Sequence, residues 1–155
     1  FLKKAVDVTA YLGASYLSGP FHSALAVFSG AAPVQQELDW SKDSMLAVAE
    51  HAQKQGVILG LEYLNRFENY VVSNADQLYA LVKSINHPNV KIMFDTFHAH
   101  IEEFNTGEAM VRIADEVAMA AAARRWWRQH GDGGGGAATA VAARLRRRRP
   151  VRKRR

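Results

Sequence analysis

Two short, nearly continuous apolar runs, Val57-Ile58-Leu59-Gly60-Leu61 and Val90-Lys91-Ile92-Met93-Phe94, alternate with segments of helical period. A strand that is apolar on both faces must be covered on both, and a parallel sheet flanked by helices does that. Met45, Val48, Ala49 and Ala52 fall at i, i+3, i+4 and i+7, with Ser41 or Asp39 as an N-cap and Gly56 as a stop. Leu78, Leu81, Val82 and Ile85 repeat the spacing after Ser73-Asn74, and Asn86-His87-Pro88 closes it. Met110, Ile113, Ala114 and Val117 repeat it again, with Thr106 as the expected N-cap. An earlier strand is expected within residues 13–18, after a helical end over 2–11 and before the loop Gly19-Pro20-Phe21-His22-Ser23. The result is an α/β order of consecutive βαβ units with three parallel strands.

The chain has no cysteine, which excludes disulfides and thiolate metal sites and leaves His, Asp and Glu as ligands. No apolar run of 18 residues and no leader pattern occurs, so the reading is a soluble, cytoplasmic protein with no membrane partner. It begins at Phe1 rather than at a methionine and is therefore read as a fragment or a processed chain. The net charge of +5 joins two opposed parts. Residues 1–123 hold 8 Lys+Arg against 14 Asp+Glu, a net −6, while residues 124–155 hold 12 against 1, a net +11. The division expected is a partial barrel over 1–120 and a low-complexity Ala/Gly/Arg tail over 121–155. That tail has neither helical nor strand period, so it reads as disordered. Its GC-rich-codon composition starts where the next strand is due, which points to a frameshift near residues 118–123.

Four ionisable groups gather at the ends of the two strands. Residues two apart on a strand share a face, so Glu62 lies with Gly60 and Ile58, opposite Leu61, Leu59 and Val57. Asp95 takes the corresponding place above Met93, opposite Phe94 and Ile92. Carboxylates at the ends of adjacent parallel strands, about 4.8 Å apart, can share one divalent cation. Glu68 joins them only if Asn65-Arg66-Phe67 folds back; otherwise it is a surface residue paired with Arg66. His98 joins them through a turn at Thr96-Phe97, and His100 is the alternative if that turn differs. Both Glu68 and His98 can then hydrogen-bond a polyol or carbonyl compound.

Leu61-Glu62-Tyr63-Leu64-Asn65-Arg66-Phe67-Glu68 and Phe94-Asp95-Thr96-Phe97-His98 resemble the ketose 3-epimerases of the D-tagatose and D-psicose type. These belong to the xylose-isomerase-like superfamily of (β/α)8 TIM barrels. The resemblance covers about residues 1–118 and implies a partial barrel, about strands 3 to 5 with their helices. It implies Glu62 as a metal ligand and catalytic acid/base, Asp95 as a second metal ligand, and Glu68 and His98 as sugar contacts. The cofactor implied is Mn2+, with Co2+ or Mg2+ as alternatives. The reaction implied is removal of the C3 proton of a ketohexose, an enediolate, and reprotonation from the other face. A histidine of the sixth strand and a glutamate of the eighth complete the family's ligand set, and neither has a counterpart here. The chain alone is therefore expected to be inactive, and the intact enzyme a homo-oligomer.

Competing readings attach to several residues. His22 either lines the pocket or is a plain loop histidine, His51 and His87 read as solvent-facing, and Trp40 caps the pocket or packs. His130 falls in the tail. Another superfamily activity, a sugar-phosphate or hydroxypyruvate isomerase, is the nearest alternative. A non-catalytic protein with a nucleic-acid-binding polybasic tail, Arg146 to Arg155, is the rival of another class. That tail lacks the interleaved aromatics of a nucleic-acid module, so nucleic acid is not the expected partner.

Overall fold

The computed structural model describes residues 1–121. The tail, the frameshift reading and His130 lie outside the described residues. The apolar runs form a four-stranded parallel sheet in the order β1-β2-β3-β4: Tyr16–Gly19, Ile58–Leu61, Val90–Asp95 and Val117–Ala121. Helices α1 (Leu2–Tyr11), α2 (Gln35–Lys54) and α3 (Ala75–Ile85) alternate with the first three strands. Two short helices, α4 (Thr96–Glu102) and α5 (Thr106–Arg112), fill the connection from β3 to β4.

Strand alternation sorts the side chains as the pattern requires. Val57, Leu59, Leu61, Ile92 and Phe94 are buried in one core with Met45, Ala49 and Ala52 of α2 and Leu78, Val82 and Ile85 of α3. Burial of each large aliphatic chain contributes about 1.5–3 kcal/mol. The other sheet face carries Ser18, Gly60 and Met93 side by side. A Cβ on Gly60 would stand 3.0 Å from the Ser18 Cβ and 3.3 Å from the Met93 Cβ, so a side chain there requires both neighbours to give by a few tenths of an ångström.

The helix ends use local polar groups. Asn74 caps α3 by accepting from the Gln77 N–H, and Asn86 closes it in the left-handed conformation at φ 50°. In α2 the chain turns helical at Gln35, ahead of the expected Ser41 or Asp39, because the Glu37 carboxylate accepts the Val34 N–H and fixes the first turn. Trp40 consequently lies within α2, largely exposed, rather than in a loop before it. His51 is not simply solvated: its Nε2 meets the Asp7 carboxylate at 2.6 Å.

Two further expectations change. The third helical period ends early: α5 stops at Arg112, is capped by Asn105 rather than Thr106, and leaves Val117 to open β4. Four strands stand where three were expected, because the open edge of β3 offers unpaired backbone groups and residues 117–121 take them up despite their small side chains. No helix among the described residues is long and apolar enough to cross a membrane.

Candidate metal and sugar site

Glu62 follows β2 directly, and Asp95 is the last residue of β3. The register pairs Leu61 with Ile92, so Glu62 stands level with Met93 and Asp95 lies two residues further along. The longer glutamate side chain spans this offset. Ligand atoms of Glu62, Asp95 and His98 all lie within 4.8 Å of one another. Asp95 also accepts the Phe97 N–H at 2.8 Å and so caps α4. The helix therefore starts at once, replacing the turn expected between Asp95 and His98, and one turn of it carries His98 back over the strand ends. His100 is exposed on the same helix and is not among the clustered residues.

The segment after Glu62 folds back, as a role for Glu68 requires. The N–H groups of Glu68 and Asn69 both donate to the Asn65 carbonyl, at 3.0 and 3.1 Å. Asn65, only 2% exposed, donates from Nδ2 to Glu68 Oε1 at 3.0 Å and approaches His98 Nδ1 at 3.1 Å. Arg66 does not pair with Glu68; its guanidinium forks onto Glu102 at the end of α4, whose carboxylate also accepts the Arg66 N–H at 2.7 Å. This clamp ties the folded-back loop to α4.

Electrostatics concentrate on Glu62. Burial, the Asp95 charge, a hydrogen bond to Asp95 and the Glu68 charge push its carboxyl up to about 7. A group so poised exchanges protons near neutrality. His98 Nε2 stands 3.5 Å from Glu62 Oε1. On the other side of the strand end, His22 is buried and its Nε2–H donates to the Glu62 carbonyl at 3.0 Å. Burial pushes the His22 imidazole down to about 4. Its Nδ1 accepts from the Ser23 hydroxyl, which in turn accepts from the Asn69 amide. His22 lies in the loop after β1, as both readings had it, but it is buried there and braces the site's backbone.

The donor set fits a hard divalent cation. Two carboxylates converge, and their mutual repulsion, which adds to burial in raising Glu62, is the charge imbalance that a cation would relieve. Sequence reasoning gave Asn65 and Asn69 no side-chain part in this arrangement and left His22 open between lining the pocket and a plain loop position. No local period marks these loop residues as buried, and only the fold shows that they are; Asn69 is 1% exposed.

Residues 1–133 match the family described as xylose isomerase-like TIM barrel. A D-psicose 3-epimerase of Ruminiclostridium cellulolyticum is 43% identical over 79 residues, 50% of this chain and 27% of that protein. A D-psicose 3-epimerase of Agrobacterium fabrum is 34% identical over 112 residues, 71% of this chain and 38% of that protein. Among solved structures, an L-ribulose 3-epimerase superposes with a TM-score of 0.81 at 26% identity, covering 93% of this chain and 49% of the other. A D-psicose 3-epimerase with D-tagatose from Clostridium cellulolyticum H10 gives 0.78 at 27%, covering 92% and 52%. The chain thus spans between 27% and 52% of the length of these relatives. By its matched residues and its parallel βα order, the chain belongs to the xylose isomerase-like TIM-barrel family.

Proposed function

We propose that this chain supplies the metal-binding and proton-transfer half of a ketose 3-epimerase site. The observation that carries the reading is Glu62, a carboxyl held at about 7 between Asp95 and Glu68, with His98 3.5 Å away. Glu62 and Asp95 would hold a divalent cation, Mn2+ by family resemblance, and the kinship to named epimerases supports a sugar as substrate. The cation supplies polarisation of the C2 carbonyl and stabilises negative charge as it develops on the sugar. Glu62 would take the C3 proton as a base, leaving an enediolate, and inversion then needs a proton delivered to the other face by the eighth-strand glutamate that the family resemblance implies and this chain lacks. His98 Nε2–H donates to a sugar oxygen, and Glu68, anchored by Asn65, accepts from a hydroxyl.

Proton NMR in D2O with a ketohexose and the Mn2+-loaded protein tests this reading. Loss of the C3 proton signal by exchange through Glu62, without net epimerisation because the second acid/base is missing, is the expected result with the wild type, and no loss with Glu62→Gln. Exchange at C1 of a sugar phosphate instead would favour the isomerase alternative, and no exchange at C3 would reject the epimerase chemistry for this chain. A rise in melting temperature with Mn2+, abolished in Glu62→Ala, tests metal holding separately.

A further inference from the structure

The proposed chemistry uses Asn65 only as an anchor for Glu68, although it is buried and makes further polar contacts from both its backbone and its side chain. Its amide orientation is fixed by partners that act in one sense only. The Phe67 N–H can only donate, so Oδ1 faces it at 3.0 Å; a Glu68 carboxylate oxygen accepts, so Nδ2 faces it at 3.0 Å. The second Nδ2 hydrogen is directed at His98 Nδ1, 3.1 Å away, and the Asn65 backbone N–H donates to the same nitrogen at 3.2 Å.

Two donors converging on Nδ1 leave no place for a proton there, so the ring proton sits on Nε2. A protonated Nε2 has no lone pair for a cation, although His98 clusters with Glu62 and Asp95 and its Nε2 stands 3.5 Å from Glu62 Oε1. We propose that Asn65 is a positioning residue that makes His98 a hydrogen-bond donor, keeps it out of the cation's coordination shell, and anchors Glu68 beside it. The substrate side of this proposal rests on the sugar chemistry above; the hold on His98 does not.

Nitrogen NMR of the full chain labelled with 15N-histidine tests it, the His98 signals being identified by their loss in His98→Asn. The expected wild-type spectrum shows His98 with an unprotonated Nδ1 and a protonated Nε2, and this pattern persists when Zn2+ is added. Asn65→Asp keeps the oxygen that serves Phe67 but sets an acceptor against Nδ1 and a like charge against Glu68. In that variant the His98 proton is expected to move to Nδ1.

A wild-type His98 protonated at Nδ1, or one that loses its Nε2 proton on Zn2+ addition, overturns the proposal. So does an unchanged spectrum in Asn65→Asp. If that variant does not fold, the wild-type spectra with and without Zn2+ still decide. The expected tautomer without C3 exchange would reject the sugar reading and uphold the hold of Asn65 on His98.

Discussion

Glu62 and His22 are joined by one hydrogen bond and titrate in opposite senses. Below about pH 4.5 Glu62 is protonated in both the folded and the unfolded chain and costs nothing. As pH rises toward 7 the unfolded chain gives up a proton that the folded one keeps, so stability falls. His22 is depressed, so its contribution is present above about 6.5 and is lost as pH falls through 4. The two slopes oppose each other in the cation-free protein. Thermal melts should therefore show Glu62→Gln more stable than the wild type at pH 8 and close to it at pH 4. Equal shifts at both pH values would remove the assignment. Gly60 makes a second prediction at this scale. Gly60→Ala meets two Cβ atoms fixed to neighbouring strands and should destabilise by about 1–3 kcal/mol in denaturant unfolding, a neutral result meaning that the strands yield. Sequence spacing placed Glu62 on the right face of its strand, but the state of its carboxyl depended on how deeply the fold buries it.

Asp95 serves two elements at once, ending β3 beside Glu62 and capping α4 through the Phe97 N–H. The two roles separate by substitution. Asp95→Ser retains a capping oxygen and should unfold within about 1 kcal/mol of the wild type while losing the Mn2+-induced rise in melting temperature. Asp95→Ala should lose both, with about 0.5–2 kcal/mol from the cap. If Ser keeps the metal response, Asp95 is a cap and not a ligand. α4 is also the element that sequence reading did not foresee, expecting only a turn at Thr96-Phe97: seven residues, Thr96–Glu102, give too short a period to register as a helix. The longer helices α2 and α3 were legible because their apolar stripes run for several turns. The start of α3 after Asn74 was legible too, whereas that of α2 was not, since Glu37 and neither Ser41 nor Asp39 sets its first turn.

Over the whole molecule, the sheet ends on β1 and β4, each hydrogen-bonded on one side only among the described residues. Unpaired strand edges recruit other strands. The chain alone should therefore show concentration-dependent association by light scattering; a monodisperse folded monomer would overturn this expectation. The alternation of apolar runs and helical periods by itself determined the α/β class, the inward face of each strand and the pair Glu62 and Asp95, because those depend on local period and strand geometry. Only the tertiary structure decided the fourth strand, since Val117–Ala121 has little strand character of its own and forms where β3 leaves backbone groups unpaired. It likewise decided that Arg66 turns to Glu102, that His22 braces the Glu62 carbonyl and that Asn65 joins Glu68 to His98. Apart from Asn65 with Glu68, these contacts join residues 33 to 40 positions apart, a range over which no sequence period extends and only the packing of separate βα units brings side chains together.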